Sequence, residues 1–246
     1  MNPSLIEMPD DRFVVRKYRR SDRPVVRQIC CDTGYLGGPV DPVFEDRELF
    51  ADYLTNYYVH WEPESCFILE KNGQVRGYLL GCRHPRRQKW FDALHNLHLG
   101  VTGFWRYFFR PYNPATRTYV KWILTRSARE VPPAPDHLAH FHFNLYPDAR
   151  KVGTTRALLD AYLLYLDSCG VEGVYGQMVT IGERRGERMF ERVGFKVMNK
   201  SRVSKFDGVY DEPVYLCTAV KLFKDGVKVY QGRESDRPAP DSPQSP

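Results

Sequence analysis

The amino-acid sequence predicts an α/β fold with a mixed sheet, and two local patterns support this prediction. Two apolar segments, residues 65–70 and 75–82, are separated by Lys-Asn-Gly-Gln, in which Asn-Gly is typical of a tight hairpin turn. Residues 137–146 alternate between apolar and polar side chains, as a strand does, and residues 154–169 show helical spacing. A hairpin followed by a strand and a helix is expected to form a sheet with both antiparallel and parallel neighbours.

A strand and two helices are predicted before the hairpin. Residues 12–18 alternate apolar with charged side chains, and Ser21-Asp22 provides a helix cap before the next apolar run. A loop rich in Gly and Pro then leads to Asp46, after which aromatic and aliphatic residues recur at helical spacing as far as Tyr57. The predicted order is therefore strand, helix, helix and hairpin.

Residues 84–135 interrupt this order as an aromatic, Arg-rich insert. The insert is predicted to be helical in two or three pieces, with breaks at the prolines between residues 111 and 114. The helix 154–169 that follows the central strand ends at Gly170. The remaining predicted elements are strand 174–180, helix 183–192 and strands near 195–205 and 213–222.

One domain, residues 1–231, accounts for these elements. Hydrophobic residues make up 42% of the 246-residue chain, which is enough for a substantial core. Residues 232–246 are rich in Pro and Ser and contain almost nothing to bury, so we expect this tail to be disordered.

Charge and cysteine content restrict the surroundings of the protein without choosing a ligand. The net charge of +6 suits an anionic ligand, and a polyphosphate, nucleic acid or an anionic membrane would each meet that description. The six cysteines lack the spacing of a metal site or a disulfide framework, and the N-terminus lacks the pattern of a secretory signal. Polar and charged residues interrupt the apolar window 90–109, which argues against a membrane span. We therefore expect a cytoplasmic protein without a metal.

The loop between the central strand and the next helix has the character of a phosphate site. Arg150 and Lys151 are basic, and Gly153 allows the backbone to approach an anion closely. A helix that begins at Thr154 would present unpaired N–H groups and the positive end of its dipole. These features predict that the loop binds pyrophosphate.

The same loop resembles the pyrophosphate loop of the GNAT (GCN5-related N-acetyltransferase) superfamily. Arg150-x-x-Gly153-x-Thr155 follows an apolar strand and opens a helix, as the R/Q-x-x-G-x-G/A motif of that superfamily does. The sequence Glu-Arg-Val-Gly-Phe at 191–195 resembles the E-K-x-G-F ending of the superfamily, and the order of elements agrees over most of residues 12–222 apart from the insert.

The resemblance implies a fold, an acyl donor and a set of contacts. The fold would be that of a GNAT acyl-CoA N-acyltransferase with a helical insert between the hairpin and the central strand, and the donor would be acetyl-CoA. A backbone N–H near Leu145 would polarise the thioester carbonyl. The implied coenzyme-binding residues are Leu145, Tyr146, Arg150, Lys151, Val152, Gly153, Thr154 and Thr155.

Three positions depart from the superfamily pattern. Thr155 stands where a small Gly or Ala is usual, Lys151 where Gly is frequent, and Phe190 where a Tyr often protonates the departing thiolate. A thiol with a pKa of about 8.5 leaves readily near neutral pH, so the absence of that hydroxyl need not abolish activity. The alternative to an active enzyme is a catalytically weak or inactive GNAT-fold protein that binds a CoA ester or a partner.

The acceptor amine must lose a proton before it can attack, because an alkyl amine with a pKa of about 10.4 is mostly protonated at pH 7. His140 and His142 lie on one face of the predicted strand, and an ordinary histidine pKa near 6.5 suits proton removal. The pair also resembles a His-x-His of arylalkylamine N-acetyltransferases. Both are therefore candidate catalytic bases, and the alternative is that both imidazoles are satisfied structural groups.

The acceptor side and the insert leave alternatives open. Asp41, Glu45 and Asp46 could attract an ammonium group, or they could belong to a solvated loop with a helix cap. The insert could pack on the domain, cover a substrate, form a homodimer or anchor at an interface, and a nucleic-acid surface is the least supported reading. The resemblance implies a small-molecule or protein amine as the acceptor.

Overall fold

The computed structural model describes residues 6–7, 13–182, 191–207 and 211–223 of the chain. Its strands are β1 Ile6–Glu7, β2 Phe13–Lys17, β3 Cys66–Lys71, β4 Gln74–Cys82, β5 Ala139–Leu145, β6 Gly173–Ile181, β7 Lys196–Arg202 and β8 Val214–Leu222. They form one sheet in the spatial order β1-β2-β3-β4-β5-β6-β8-β7. Among the described strand pairs, β5 with β6 is parallel and the others are antiparallel, which confirms the predicted mixed sheet.

Helices cover both faces of the sheet. The helices of the described residues are α1 Arg23–Thr33, α2 Arg47–Trp61, α3 Pro85–Phe109, α4 Pro114–Thr125, α5 Ser127–Glu130 and α6 Val152–Ser168. Helices α1 and α2 pack on one face in a core cluster that contains Ile29, Tyr58 and Tyr78. Helix α6 packs on the other face around Leu158 and Tyr162. The central strands are therefore buried between two layers of helices.

The hairpin between β3 and β4 has the predicted turn. Asn72 and Gly73 have φ values of 51° and 77°, so both central residues adopt the left-handed conformation. Asn and Gly tolerate this conformation better than other residues do, and the resulting turn matches the twist of the two strands. This local pattern therefore fixes the register of the hairpin.

Strand β5 lies between the antiparallel part of the sheet and its parallel neighbour β6. Ala139, Phe141 and Leu145 belong to the core cluster beneath α6, as the alternation of the sequence predicts. His140 and His142 face the opposite side of the sheet, where they contact tyrosines of α2 and β4. The alternation therefore assigns the two histidines to the α1 and α2 face.

The insert forms three helices, α3, α4 and α5, as predicted. The break between α3 and α4 contains Pro111, and Asn113 caps α4 by accepting a hydrogen bond from the Thr116 N–H at 2.7 Å. Pro114 occupies the first turn of α4, where its missing N–H costs nothing. Local sequence signals therefore explain both ends of the break.

The Gly-Phe pair at 194–195 connects the second half of the chain to the core. Gly194 has a φ of 84°, a conformation that ends a helix and favours glycine. Phe195 is buried, and its ring centroid lies 6.1 Å from that of Phe141 in β5. The pair therefore terminates the preceding element and packs its aromatic ring against the central strand.

The start of α6 corrects one prediction. The sequence predicts a start at Thr154, whereas the helix begins at Val152. The single O–H of Thr154 lies within hydrogen-bond distance of two carbonyls, that of Ala149 at 2.5 Å and that of Lys151 at 2.9 Å. This side chain stabilises the first turn from within, and the helix starts two residues before the predicted position.

Some predictions fall outside the described residues. Residues 183–190 lie outside them, including Phe190, whereas Glu191 and Arg192 at the end of the predicted helix 183–192 are helical. The tail 232–246 and the domain boundary at residue 231 also lie outside them.

Candidate active site

Strands β5 and β6 separate part-way along their length. Their last pair joins Phe141 to Gly176, although β5 continues to Leu145 and β6 to Ile181. Beyond this point β6 remains paired with β8 on its other side. The divergence, which we call the splay, is therefore a wedge-shaped gap beside the C-terminal half of β5.

The backbone of β5 directs an amide group into the splay. The Tyr146 N–H donates to the Arg76 carbonyl at 2.9 Å, and Leu145 lies opposite Gly77 in β4. Opposite residues in an antiparallel ladder alternate between hydrogen-bonded and non-hydrogen-bonded pairs. Leu145 belongs to the second kind, so its N–H points away from β4 and toward the splay, while its side chain is buried in the core. A carbonyl oxygen in the splay could accept this N–H.

The N-terminus of α6 lies just beyond the end of β5. The first helical hydrogen bond of α6 runs from the Thr155 N–H to the Lys151 carbonyl, at 3.0 Å. The N–H groups of Val152, Gly153 and Thr154 precede this bond, so they have no acceptor within the helix. Val152 and Gly153 are exposed. These amides and the helix dipole favour an anion at this edge of the splay.

Arg150 makes contacts that the sequence does not predict. Its Nε donates to the Leu145 carbonyl at 2.9 Å and its Nη2 to the Gly37 carbonyl at 2.5 Å. Gly37 has a φ of 92°, a left-handed conformation that favours glycine, and a Cβ there would displace the Arg150 guanidinium. Burial lowers the pKa of the guanidinium. Arg150 thus connects the end of β5 to the loop between α1 and α2.

The other predicted coenzyme-binding residues divide into two groups. The backbone amides of Leu145, Val152 and Gly153 lie along the splay and the start of α6, as described above. The Tyr146 hydroxyl instead donates to Asp32 Oδ2 at 2.8 Å, which ties it to the end of α1. The Lys151 side chain is exposed, with its Nζ 5.9 Å from the centroid of a core phenylalanine ring.

His140 is enclosed by aromatic rings. Its Nε2 lies 3.2 Å from the Tyr58 hydroxyl, and its ring centroid lies 5.1 Å from that of Tyr175 in β6. The Nδ1 atom is buried and has no hydrogen-bond partner among the described residues. Burial lowers the pKa of this imidazole to about 4, so it is neutral near pH 7. His140 lies where β5 and β6 are still paired, before the splay opens.

His142 is the first residue of β5 after the last pair with β6. Its Nε2 lies 3.1 Å from the Tyr78 hydroxyl, and part of its side chain reaches the surface. Protein atoms surround most of the ring, and this burial lowers the pKa of the imidazole to about 4. Of the two histidines, His142 is therefore the one at the mouth of the splay.

The chain resembles solved structures over most of its length. A crystal structure described as SsHAT covers 85% of this chain and 98% of its own, at 27% identity and a TM-score of 0.57. An agmatine N-acetyltransferase variant in its apo form covers 87% and 100%, at 14% identity and a TM-score of 0.50. An N-acetyltransferase from Staphylococcus aureus Mu50 covers 85% and 98%, at 13% identity and a TM-score of 0.50.

The chain has the fold of the GNAT acetyltransferases. The sequence matches no protein-family model and no curated protein. The GNAT fold predicted from the order of elements and the two motifs is therefore confirmed at the level of structure.

Asp46, at the start of α2, contacts the insert. Asp46 is buried, caps α2 by accepting from the Leu49 N–H at 3.2 Å, and accepts from Arg106 at 2.7 Å and Tyr112 at 2.5 Å. Burial alone would raise the pKa of this carboxyl, but the hydrogen bonds from Tyr112 and Arg106 outweigh it and hold the pKa low. The predicted cap is confirmed, and the carboxylate is already paired with cations of the insert.

A groove of about 540 Å³ lies between α1 and α2. Its lining includes Arg27, which contacts Asp52 and Glu48, and Arg47, which contacts Asp32 and Asp41. Because these arginines already have carboxylate partners, the groove gives less reason to expect an anionic ligand than the start of α6 does.

No described helix is long and apolar enough to cross a membrane. No group of three or more His, Cys, Asp or Glu side chains in the described ranges is arranged to hold a metal ion.

Proposed function

We propose that this GNAT chain is an N-acetyltransferase that transfers the acetyl group of acetyl-CoA to an amine by direct attack within a ternary complex. The observation that carries the proposal is the arrangement at the end of β5. There the Leu145 N–H faces the splay, and the first amides of α6 lie beside it. One edge therefore offers both a donor for a thioester oxygen and a site for pyrophosphate.

The donor would use backbone groups more than side chains. Pyrophosphate would bind the N–H groups of Val152, Gly153 and Thr154, and the thioester carbonyl would accept from Leu145 N–H. Negative charge develops on that oxygen as the amine attacks, so this hydrogen bond strengthens in the transition state. The thiolate then leaves without an obligatory acid, because its conjugate thiol has a pKa of only about 8.5.

His142 would accept the proton that the amine loses. This imidazole lies at the mouth of the splay and contacts the Tyr78 hydroxyl at 3.1 Å. Its pKa of about 4 keeps it neutral and able to accept a hydrogen bond from the amine at pH 7, although it makes the imidazole a weak base. His140, enclosed between tyrosines in the paired part of β5, would serve to hold the strand.

The acceptor would be an amine that is cationic in solution. The rings of Tyr35 and Phe206 lie 5.5 Å apart beside the Gly37 loop that Arg150 contacts. In the same region the ammonium of Lys205 lies 4.8 Å from the Trp122 ring and 5.0 Å from the Phe206 ring. Aromatic rings of this kind attract alkylammonium groups, and here the Lys205 ammonium occupies that position. The agmatine enzyme that shares the fold makes alkylamines the first class to screen.

One observation favours a second candidate, a protein that binds a CoA ester without turnover. The Arg150 guanidinium already donates to the carbonyls of Leu145 and Gly37, so these two N–H groups are not available to a phosphate. A phosphate site that relies on backbone amides and Lys151 would bind more weakly. The two candidates differ in whether an amine triggers release of free CoA.

The test is a calorimetric titration of the purified chain with acetyl-CoA, compared with two variants at Gly153. We expect micromolar binding by the unmodified protein and at least a tenfold loss in Gly153→Glu, because the new carboxylate faces the pyrophosphate. Gly153→Gln has the same bulk without the charge, so it separates steric from electrostatic interference. The position is exposed in the first turn of α6, where Glu is well tolerated by a helix.

Absence of acetyl-CoA binding by folded protein would contradict the proposal. Equal binding by all three proteins would show that the coenzyme does not bind at the start of α6. Binding followed by thiol release with any member of an alkylamine panel supports the transferase. Binding without release across the panel supports the second candidate.

A further inference from the structure

Helix α3 of the insert is long, apolar and almost unburied. It spans Pro85–Phe109, and none of its residues is fully buried. One side rests on α2, where the Phe91 ring lies 5.4 Å from that of Tyr57 and His95 Nε2 lies 3.4 Å from the Asp52 carbonyl. The other side faces away from the domain, and this outer side carries the larger apolar residues.

The outer side follows a coiled-coil spacing. Successive apolar residues are four, three, four, three and four positions apart, which is the 3.5-residue repeat that turns one stripe of a helix toward a partner helix. Their side chains are between 53% and 78% exposed. We call this stripe the outer seam, and it consists of Trp90, Leu94, Leu97, Val101, Phe104 and Phe108.

We propose that the outer seam of α3 binds the outer seam of a second copy of this chain, in a symmetric dimer. A homodimer with two-fold symmetry uses the same patch on both subunits, so a stripe that is complementary to itself suffices. The inference is independent of the proposed enzymatic activity, because it involves neither the splay nor the start of α6.

The residues beside the seam suit contact with a second helix better than binding to a membrane surface. Between Trp90 and Trp105 the sole charged residue is Asp92, so this stretch lacks the Lys and Arg that border the apolar face of a membrane-surface helix. Ala93 and Gly100 lie next to the seam, and a Cβ added at Gly100 would meet nothing within 4 Å. Small residues at this place leave room for the backbone of a second helix.

The exposed area matches what a stable dimer needs. Trp105 and Phe109 extend the seam at its C-terminal end, where their rings stack with centroids 5.3 Å apart. The five aromatic residues of this surface are each more than half exposed. At about 150–250 Å² per aromatic side chain, they alone leave on the order of 600 Å² in water, the upper limit for an ordinary monomer patch. With the aliphatic residues the surface approaches the roughly 800 Å² per partner of a standard interface.

The test is sedimentation velocity on the full chain at concentrations from about 1 to 100 μM, a range that spans typical weak and strong dimers. We expect a dimer for the unmodified protein and a monomer for the double variant Leu97→Glu, Val101→Glu. Leu124→Glu is the control, because Leu124 is an apolar residue on α4 outside the seam and is more exposed than Leu97 or Val101. It should leave the dimer unchanged. Circular dichroism checks that every variant is folded.

Three outcomes would overturn the proposal. The unmodified chain could be monomeric at 100 μM, or the seam variant could remain dimeric, which would locate the interface elsewhere. A monomer that sediments with phosphatidylcholine and phosphatidylserine vesicles, and loses this property in the seam variant, would instead identify the seam as a membrane-binding surface.

Discussion

The two histidines of β5 differ in position by two residues and in surroundings by much more. His140 lies within the paired part of β5 and β6 against Tyr58 and Tyr175, whereas His142 lies where the strands separate. The pattern of alternation makes them equivalent, since both face the same side of the sheet. The end of the β5–β6 ladder makes them distinct, and it gives them different expected effects on rate.

Replacement of His142 should slow turnover without weakening donor binding. In His142→Gln the side chain can still bond to Tyr78 but cannot accept a proton, so we expect a loss in kcat of about 10²-fold, the lower range for a general base. The KM for acetyl-CoA should stay within a factor of two or so, because the proposed donor contacts are backbone amides. Steady-state kinetics with the best amine of the panel measures both quantities.

His140→Gln is the comparison for this experiment. It should lower the free energy of unfolding, because the buried ring contacts Tyr58 and Tyr175, and it should reduce kcat less than His142→Gln does. Full activity in His142→Gln would show that His142 takes no part in proton transfer. A larger rate loss in His140→Gln than in His142→Gln would identify His140 as the base instead.

At the scale of secondary-structure elements, one buried carboxylate joins the start of α2 to two segments of the insert. Asp46 accepts hydrogen bonds from Leu49 in α2, Arg106 in α3 and Tyr112 in the break that follows. These partners come from three segments, so a single side chain fixes their relative positions. The outer seam of α3 is presented to solvent by this attachment.

Removal of the Asp46 carboxylate should be costly. Asp46→Ala leaves Arg106 without its partner, Tyr112 without an acceptor and α2 without a cap, and we expect a loss of about 3–5 kcal/mol in the free energy of unfolding. Asp41→Ala is the control, since the ion pair of Asp41 with Arg47 is exposed and should contribute less than about 1 kcal/mol. Urea denaturation of both variants measures the difference. Similar losses in unfolding free energy would show that the contacts of Asp46 contribute no more than an exposed ion pair.

The sequence predicts the elements that local patterns determine, and it misses what distant residues decide. Asn72-Gly73 and the alternation of β5 give the hairpin and the two faces of the sheet correctly. The contacts of Asp46 with Arg106 and Tyr112 join residues 60 and 66 positions apart, and no local pattern encodes them. They reveal a structural role for an acid that the sequence also allows as a site for an ammonium group.

In the candidate site, too, the sequence predicts what local patterns determine and misses the contacts between distant residues. The basic-glycine loop correctly indicates a helix start next to the central strand, although α6 begins at Val152 because the Thr154 hydroxyl stabilises the turn before it. The contact of Arg150 with Gly37 spans 113 positions and turns a predicted phosphate ligand toward the α1–α2 loop. The positive φ of Gly37 that permits the contact is equally invisible in the sequence.

At the scale of the whole molecule, buried ionisable groups make stability depend on pH in two separate windows. Burial lowers the pKa of His140 to about 4 and that of Lys205 to about 8. A base whose pKa is lower in the fold than in the unfolded chain binds protons more weakly when folded. Stability therefore increases with pH between the folded and the unfolded pKa of each group. The windows are pH 4 to about 6.5 for histidine and pH 8 to about 10.4 for lysine.

The acid window gives the final prediction. The free energy of unfolding should fall as the pH is lowered from about 6.5 to 4, and His140 alone should account for on the order of 3 kcal/mol at the lower end. His140→Phe keeps an aromatic ring between Tyr58 and Tyr175 but cannot bind a proton, so its unfolding free energy should depend less on pH in this window. Urea titrations at half-unit steps from pH 4.5 to 7 compare the slopes. Carboxylates with lowered pKa values, such as Asp46, act below about pH 4 and do not produce this slope. Equal slopes for the two proteins would mean that His140 takes up a proton without unfolding, through a more open environment than its packing against two tyrosines indicates.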